Sequence, residues 1–187
     1  MKIAFIGSHG VGKTILCYDL ASMLRKMNKT VSIVSEIARE AAKSGFLINE
    51  NTTVNAQGWI LFIQMAKELE GKNDSEYVIC DRSVIDNYMY MRIRFGPQQF
   101  YEDLIMDWLK YNSYDFLFKV PPLGELQKDG VRSVVPEFQK KIDEELTKFL
   151  AEKEINVISL PETDDKDQWL LEVKRILFKD KTLDEFS

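Results

Sequence analysis

Residues 7–14 read Gly7-Ser8-His9-Gly10-Val11-Gly12-Lys13-Thr14 and match the spacing GxxxxGK[ST] at every position. An apolar stretch, Lys2 to Ile6, precedes them, and a segment of helical period follows from Lys13. A buried strand that turns through glycines straight into a helix is the first half of a β-α-β unit, so the chain is committed to parallel pairing. The glycines let the backbone fold inward, which aims successive N–H groups at one point and adds the positive end of the helix. The whole run Gly7 to Thr14, with Ser8, His9, Gly10, Val11 and Gly12 between, reads as a cradle for nucleotide phosphates. Lys13 would reach the β- and γ-phosphates, and the Thr14 hydroxyl would ligate magnesium. A dinucleotide loop is excluded: Gly10 and Gly12 have GxG spacing, but Ile15 stands where GxGxxG needs its third glycine. His9, the sole histidine, fills a variable position, where it contacts a phosphate or a neighbouring loop or stands as a spectator.

Four further apolar runs, Val31 to Ser35, Tyr77 to Cys80, Asp115 to Val120 and Asn156 to Leu160, alternate with longer segments of helical period. Helices are expected over Lys13–Met27, Glu36–Lys43, Thr53–Glu70, Val84–Phe95, Pro97–Tyr111, Pro136–Glu154 and Asp165–Phe178. In the third, Trp59, Phe62, Ile63, Ala66 and Leu69 fall on one apolar face. Continuous apolar strands with helical crossovers predict an α/β three-layer sandwich with a five-stranded parallel sheet. With 187 residues the chain is about 1.2 times a typical domain. A single domain over 1–187 is therefore expected. The Pro- and Gly-containing stretch from Pro121 to Ser133, together with the helix after it, reads as a lid region over about 121–154.

A formal charge of -5 disfavours a protein that coats nucleic acid, yet leaves room for a local cluster of donors around one phosphate ligand. No run approaches the roughly 20 apolar residues that span a bilayer, and the N-terminal apolar run is too short for a signal peptide. The expectation is a cytoplasmic protein without membrane or nucleic-acid partners, for which a homo-oligomeric state stays open. Cys17 and Cys80 have no CxxC spacing and are expected to be buried spectators.

The second acidic strand sorts the nucleotide-binding classes. The sequence lacks the Asn-Lys-x-Asp that reads guanine: Asn28-Lys29 is followed by Thr30-Val31. Val78-Ile79-Cys80-Asp81 is followed by Arg82, not by the Glu that orients an attacking water. An Asp-Arg pair at a strand end suits phosphoryl transfer to a bound acceptor. The carboxylate takes the acceptor's proton or holds the magnesium shell, and the guanidinium offsets charge on the transferring oxygens. The competing structural reading is an exposed Asp-Arg ion pair with Ser83 as a helix cap.

Asp81-Arg82-Ser83 after an apolar strand resembles the signature of deoxynucleoside and thymidylate kinases, which are P-loop NTPases in fold. Glu36, at the end of the second strand, is similar to their second-strand Glu near the acceptor hydroxyl. Trp59 and Gln64 resemble the Trp-x4-Gln in which the Gln pairs with the base and the Trp lines the pocket; the same Trp reads equally as core. The chain is also similar to the ribosylnicotinamide kinase domain of the NAD-biosynthesis regulator and the small AAA-type ATP-binding proteins grouped with it. There the counterparts of Asp129 to Ser133 and Glu137-Phe138-Gln139 form the lid and the helix behind it. Two features depart from deoxynucleoside kinases: residues 121–140 contain only Arg132, and Asn87 stands where an acid is common, with Asp86 one earlier.

The resemblance implies a P-loop kinase that transfers a phosphoryl group from MgATP, or MgGTP, to a small nucleoside, nucleotide or ribosylnicotinamide-like acceptor. Lys13, Arg82 and Arg132 would stabilise the γ-phosphoryl, Thr14 and Asp81 would hold Mg2+, and Asp81 or Glu36 would act as base. Arg39 would reach an acceptor phosphate or pair with Glu36 or Glu40; Arg92 and Arg94 are further candidate clamps. The rival is a nucleotide-dependent switch in which the 121–135 loop reports occupancy to a partner.

Overall fold

The computed structural model of the chain describes residues 1–48, 51–122, 136–163 and 165–178. Five strands pair in parallel in the order β2-β3-β1-β4-β5: β1 (Lys2–Ile6), β2 (Val31–Val34), β3 (Tyr77–Asp81), β4 (Phe116–Lys119) and β5 (Ile158–Ser159). The seven expected helices form as α1 (Lys13–Lys26), α2 (Ile37–Lys43), α3 (Val54–Asp74), α4 (Val84–Phe95), α5 (Gln99–Tyr111), α6 (Pro136–Glu152) and α7 (Lys166–Leu177). No helix among the described residues is long and apolar enough to cross a membrane.

Strand alternation divides the core into two layers. Ile3 and Phe5 of β1 point to one face with Ile79 and Phe118, where Leu16, Cys17, Leu20 and Leu24 of α1 and Trp169 and Val173 of α7 cover them. Ala4 and Ile6 point to the other face, under α2 to α6. Both cysteines are free and buried as expected, and burial holds their thiols well above the usual range. The outer strand β2 is only half-buried, and β5 pairs over two residues, because an edge strand has one neighbour to hold it.

The face expected of α3 is corrected by the structure. Phe62 and Leu69 are exposed, at 49% and 43%, whereas Gln57, Ile60, Leu61, Gln64, Met65 and Glu68 are buried. Polar residues hold this face because their partners sit on other elements. Glu68 receives the Lys2 ammonium at 2.7 Å and the Tyr114 hydroxyl at 2.6 Å. Gln64 donates to Glu68 at 2.9 Å and to the Arg82 carbonyl at 3.2 Å, and accepts from Asn87 at 3.4 Å. These bonds fasten α3 to the start of β1 and the end of β3.

The order β2-β3-β1-β4-β5 also fixes where a ligand site can lie. From β1 the chain leaves through α1 on one face toward β2; from adjacent β3 it leaves through α4 on the opposite face toward β4. The crevice between the carboxyl ends of β1 and β3 is therefore the switch point of an open α/β sheet. Phe5 is in register with Asp81, so the loops after both strands start at the same level.

Candidate phosphate-binding and phosphoryl-transfer site

The Gly7–Thr14 loop leaves β1 through glycines whose backbone conformations strain any residue with a side chain. Gly7 has φ +138, and a Cβ there would stand 2.7 Å from the Val120 carbonyl oxygen. Gly12, at φ +95, is the N-cap of α1; a Cβ there would press on Lys166 at 3.3 Å and Trp169 at 3.4 Å. The loop is thus backed by β4 on one side and α7 on the other, and its end runs directly into α1, whose unpaired N–H groups supply an anion site.

Lys13 is buried, and its ammonium donates to the carbonyls of Gly7 at 3.0 Å and Ser8 at 2.5 Å, bridging the loop. Burial, and then the nearby Arg82 guanidinium, pull its pKa down from 10.5 to about 8. An anion in the loop would raise it again. Thr14 donates its hydroxyl to Asp81 at 2.5 Å, which joins the loop to the end of β3. Burial, then the Glu36 carboxylate, raise the Asp81 pKa above the ordinary carboxylate value.

Arg82 follows at φ +92, a backbone conformation costly for a side-chain-bearing residue, on the order of 1–3 kcal/mol. Its guanidinium is held from three directions. Nε and Nη2 donate to the same Glu36 oxygen at 3.1 Å each, Nη1 donates to Asp86 at 3.3 Å, and the group lies 5.2 Å from the Tyr90 ring centroid. The Asp-Arg pair is neither exposed nor a mutual ion pair. Asp81 faces the loop, Arg82 faces Glu36, and both are about 97% buried or more. Ser83 does cap α4, in a capping box with Asp86, which accepts from the Ser83 N–H at 2.6 Å. Asp86 thereby fixes the helix start with one oxygen and Arg82 with the other.

Glu36 ends the connection after β2 and also accepts from Arg39 Nε at 3.0 Å, so the structure pairs Arg39 with Glu36. Trp59 is half-buried against Phe46, with ring centroids 5.3 Å apart. It sits one and a half turns nearer the carboxyl end of the sheet than Gln64, whose amide is engaged within the protein as described. Arg92 is not at the site. It meets Glu102 at 2.9 Å, Glu152 at 3.1 Å and Glu145 at 3.6 Å, tying α4 to α5 and α6. Arg94 is exposed, 6.0 Å from the Phe95 ring centroid. Arg132 and the rest of 123–135 lie outside the described residues.

His9 contacts a neighbouring element. Its Nδ1 is 3.3 Å from the Tyr90 hydroxyl, its ring packs on Phe138 at 5.9 Å, and its carbonyl accepts from Gln139 Nε2 at 2.8 Å. The start of α6 therefore covers the phosphate loop. Sequence reasoning passed over Asp86 and Tyr90 as site residues. The i,i+4 spacing of Arg82 to Asp86 and the Ser-x-x-Asp of Ser83 to Asp86 were the readable signals for the first; none marks Tyr90.

Comparison with solved structures shows the fold. Deoxyadenosine kinase from M. mycoides, solved with the products dCMP and dCDP, aligns with TM-score 0.66 at 18% identity, covering 95% of this chain and 99% of that one. Thymidylate kinase from Ehrlichia chaffeensis aligns at 0.65 and 19%, covering 95% and 97%. NadR protein in complex with NR aligns at 0.75 and 22% over 94% of this chain, which spans half of the NadR chain. These likenesses establish a P-loop nucleoside and nucleotide kinase-like fold, as the sequence resemblance implied. No curated protein matches the sequence. The model of the AAA domain matches residues 2–168, nearly the whole described chain, and the protein belongs to that family.

Proposed function

We propose that this protein transfers the γ-phosphoryl group of MgATP to a small acceptor of the nucleoside, nucleotide or ribosylnicotinamide class. The observation that carries the reading is the junction of the two strand ends. The Thr14 hydroxyl and the Asp81 carboxylate are 2.5 Å apart, and Arg82 follows with its guanidinium turned to the Glu36 side. AAA-type ATPases tend to carry a water-orienting Glu directly after this Asp; this chain has instead a cation, Arg82, suited to stabilising a transferring phosphoryl group.

Thr14 and Asp81 suit Mg2+: both are hard oxygen donors, and this ion takes only one or two protein ligands beside phosphates and waters. When bound, Mg2+ would draw negative charge off the phosphate oxygens. The phosphates would displace the Gly7 and Ser8 carbonyls from Lys13. Asp81, held by Thr14, would then be the metal-side carboxylate, and Glu36 would accept the acceptor's proton. Arg82, oriented by Glu36, Asp86 and Tyr90, would offer its remaining N–H groups to the transferring oxygens. Arg132 would join it from the lid region.

The domain over 1–187 would bind the nucleotide at one end of the crevice and the acceptor beside Trp59 and α3. The test is acceptor-dependent ADP formation: Asp81→Asn and Lys13→Ala should each abolish it. Undiminished activity in both variants would refute the proposal.

A further inference from the structure

We infer that Gln64 of α3, with Tyr114 and Glu68 behind it, is a positioning residue that holds Arg82 in place for transfer and does not read the acceptor; this rests on the phosphoryl-transfer reading above. An arginine keeps a backbone at φ +92 only where its surroundings over-determine it. Glu36 and Asp86 hold the guanidinium, but the turn itself is held from the side of α3 and the α5-β4 connection. The Arg82 N–H donates to the Phe5 carbonyl at 3.1 Å, and the Arg82 carbonyl accepts from Gln64 Nε2 at 3.2 Å. Two residues on, the Val84 N–H donates to the Tyr114 hydroxyl at 3.1 Å.

One carboxylate organises both supports. Glu68 Oε1 accepts from Gln64 Nε2 at 2.9 Å and from the Tyr114 hydroxyl at 2.6 Å, while Oε2 takes the Lys2 ammonium at 2.7 Å. Paired with that ammonium, the carboxylate can only accept, which sets the polarity of each neighbour. The single hydroxyl proton of Tyr114 goes to Glu68, so a lone pair turns to the Val84 N–H. Gln64 must present its NH2 side, and its two amide hydrogens go to Glu68 and to the Arg82 carbonyl. Its oxygen is left to Asn87 Nδ2, at 3.4 Å. A flipped amide would set that oxygen against a carboxylate and a carbonyl.

Gln64 is 0% exposed and Glu68 1%. Pairing with a base needs a donor and an acceptor turned to the pocket, and Gln64 has both hydrogens committed inside the protein. The base-pairing role that the Trp-x4-Gln resemblance implies is replaced here by one directed at Arg82. Slackening the turn would misplace the guanidinium at the transferring oxygens and leave the acceptor's own contacts intact.

Gln64→Met keeps the length of the side chain and removes both donors; Tyr114→Phe removes the acceptor for Val84. In each, kcat for acceptor-dependent ADP formation should fall roughly tenfold or more. The acceptor KM should stay within about twofold, with the order of preference among nucleosides unchanged. A raised acceptor KM or an altered base preference in Gln64→Met would overturn the inference and leave the kinase reading standing; no transfer by the wild type to any acceptor would overturn both. A second arm does not depend on turnover. The Arg82 Nε–H, bonded to Glu36 at 3.1 Å, can be followed by NMR as it exchanges with solvent. Its exchange should accelerate roughly tenfold or more in both variants, while the Val120 amide, bonded to Ile6 at 2.9 Å, keeps its wild-type rate. Unchanged exchange at Arg82, or equal acceleration at Val120 as a general loss of stability would give, would overturn the inference.

Discussion

Replacing Lys13 by Met should make the nucleotide-free protein more stable while removing its ability to hold MgATP. The displacement of the Lys13 ammonium from 10.5 to about 8 corresponds to about 3 kcal/mol spent at neutral pH on keeping a charge in a buried loop. Met has similar length and no charge. Against that gain stand the Gly7 and Ser8 carbonyls, which lose a donor at about 1 kcal/mol each. The net is about 1 kcal/mol in favour of the variant, or about 2–4 °C in Tm for a chain of this size. The pH dependence carries the sign. A lysine whose folded pKa is depressed gives a stability contribution that is complete above the unfolded value of 10.5 and is lost as pH falls through about 8. The advantage of Lys13→Met should thus be full near neutrality and shrink as pH rises from about 8 toward 10.5. Thermal melts of both proteins across that range, with and without MgATP, read it directly; only the wild type should gain Tm from the ligand. A variant that melts below the wild type at neutral pH, or a difference that ignores pH, would refute the burial argument.

Gly7→Ala places a Cβ 2.7 Å from the Val120 carbonyl at φ +138, and should lower stability by about 3 kcal/mol in urea denaturation and abolish nucleotide binding. Lys2→Met leaves the Glu68 carboxylate buried without its 2.7 Å partner and should lose about 3 kcal/mol, a loss partly recovered by adding Glu68→Gln. Because the folded pKa of Asp81 is raised, its proton stabilises the ligand-free fold below the unfolded value, and that contribution is lost as pH rises through the folded value. Mg2+ competes with this proton, so calorimetric MgATP affinity should weaken on acidification in the wild type and lose that dependence in Asp81→Asn.

The sheet and the phosphate loop were readable because their signals are local. Strand alternation, the glycine spacing and the apolar run before Asp81 each lie within a few residues, and all five strands and seven helices formed where their patterns stood. What escaped depended on partners distant in sequence. Gln64 and Glu68 are polar by type, so periodicity turned α3 toward Phe62 and Leu69; only Lys2, Tyr114 and the Arg82 carbonyl make the opposite face the buried one. Arg92 looked like a candidate clamp until Glu102, Glu145 and Glu152 from two other helices claimed it. Tyr90, beneath Arg82 and against His9, had no spacing to announce it.

The central claim is that the junction of Thr14, Asp81 and Arg82 delivers a phosphoryl group to an acceptor and not to water. ATP labelled on its γ-phosphate, incubated with the protein and a panel of nucleosides, nicotinamide riboside and nucleoside monophosphates, tests this in one chromatogram. The account predicts label in a phosphorylated acceptor, dependent on Mg2+ and absent with Asp81→Asn. Label found only in free phosphate, or retained in bound ATP with every acceptor, would contradict it and favour a nucleotide-dependent switch.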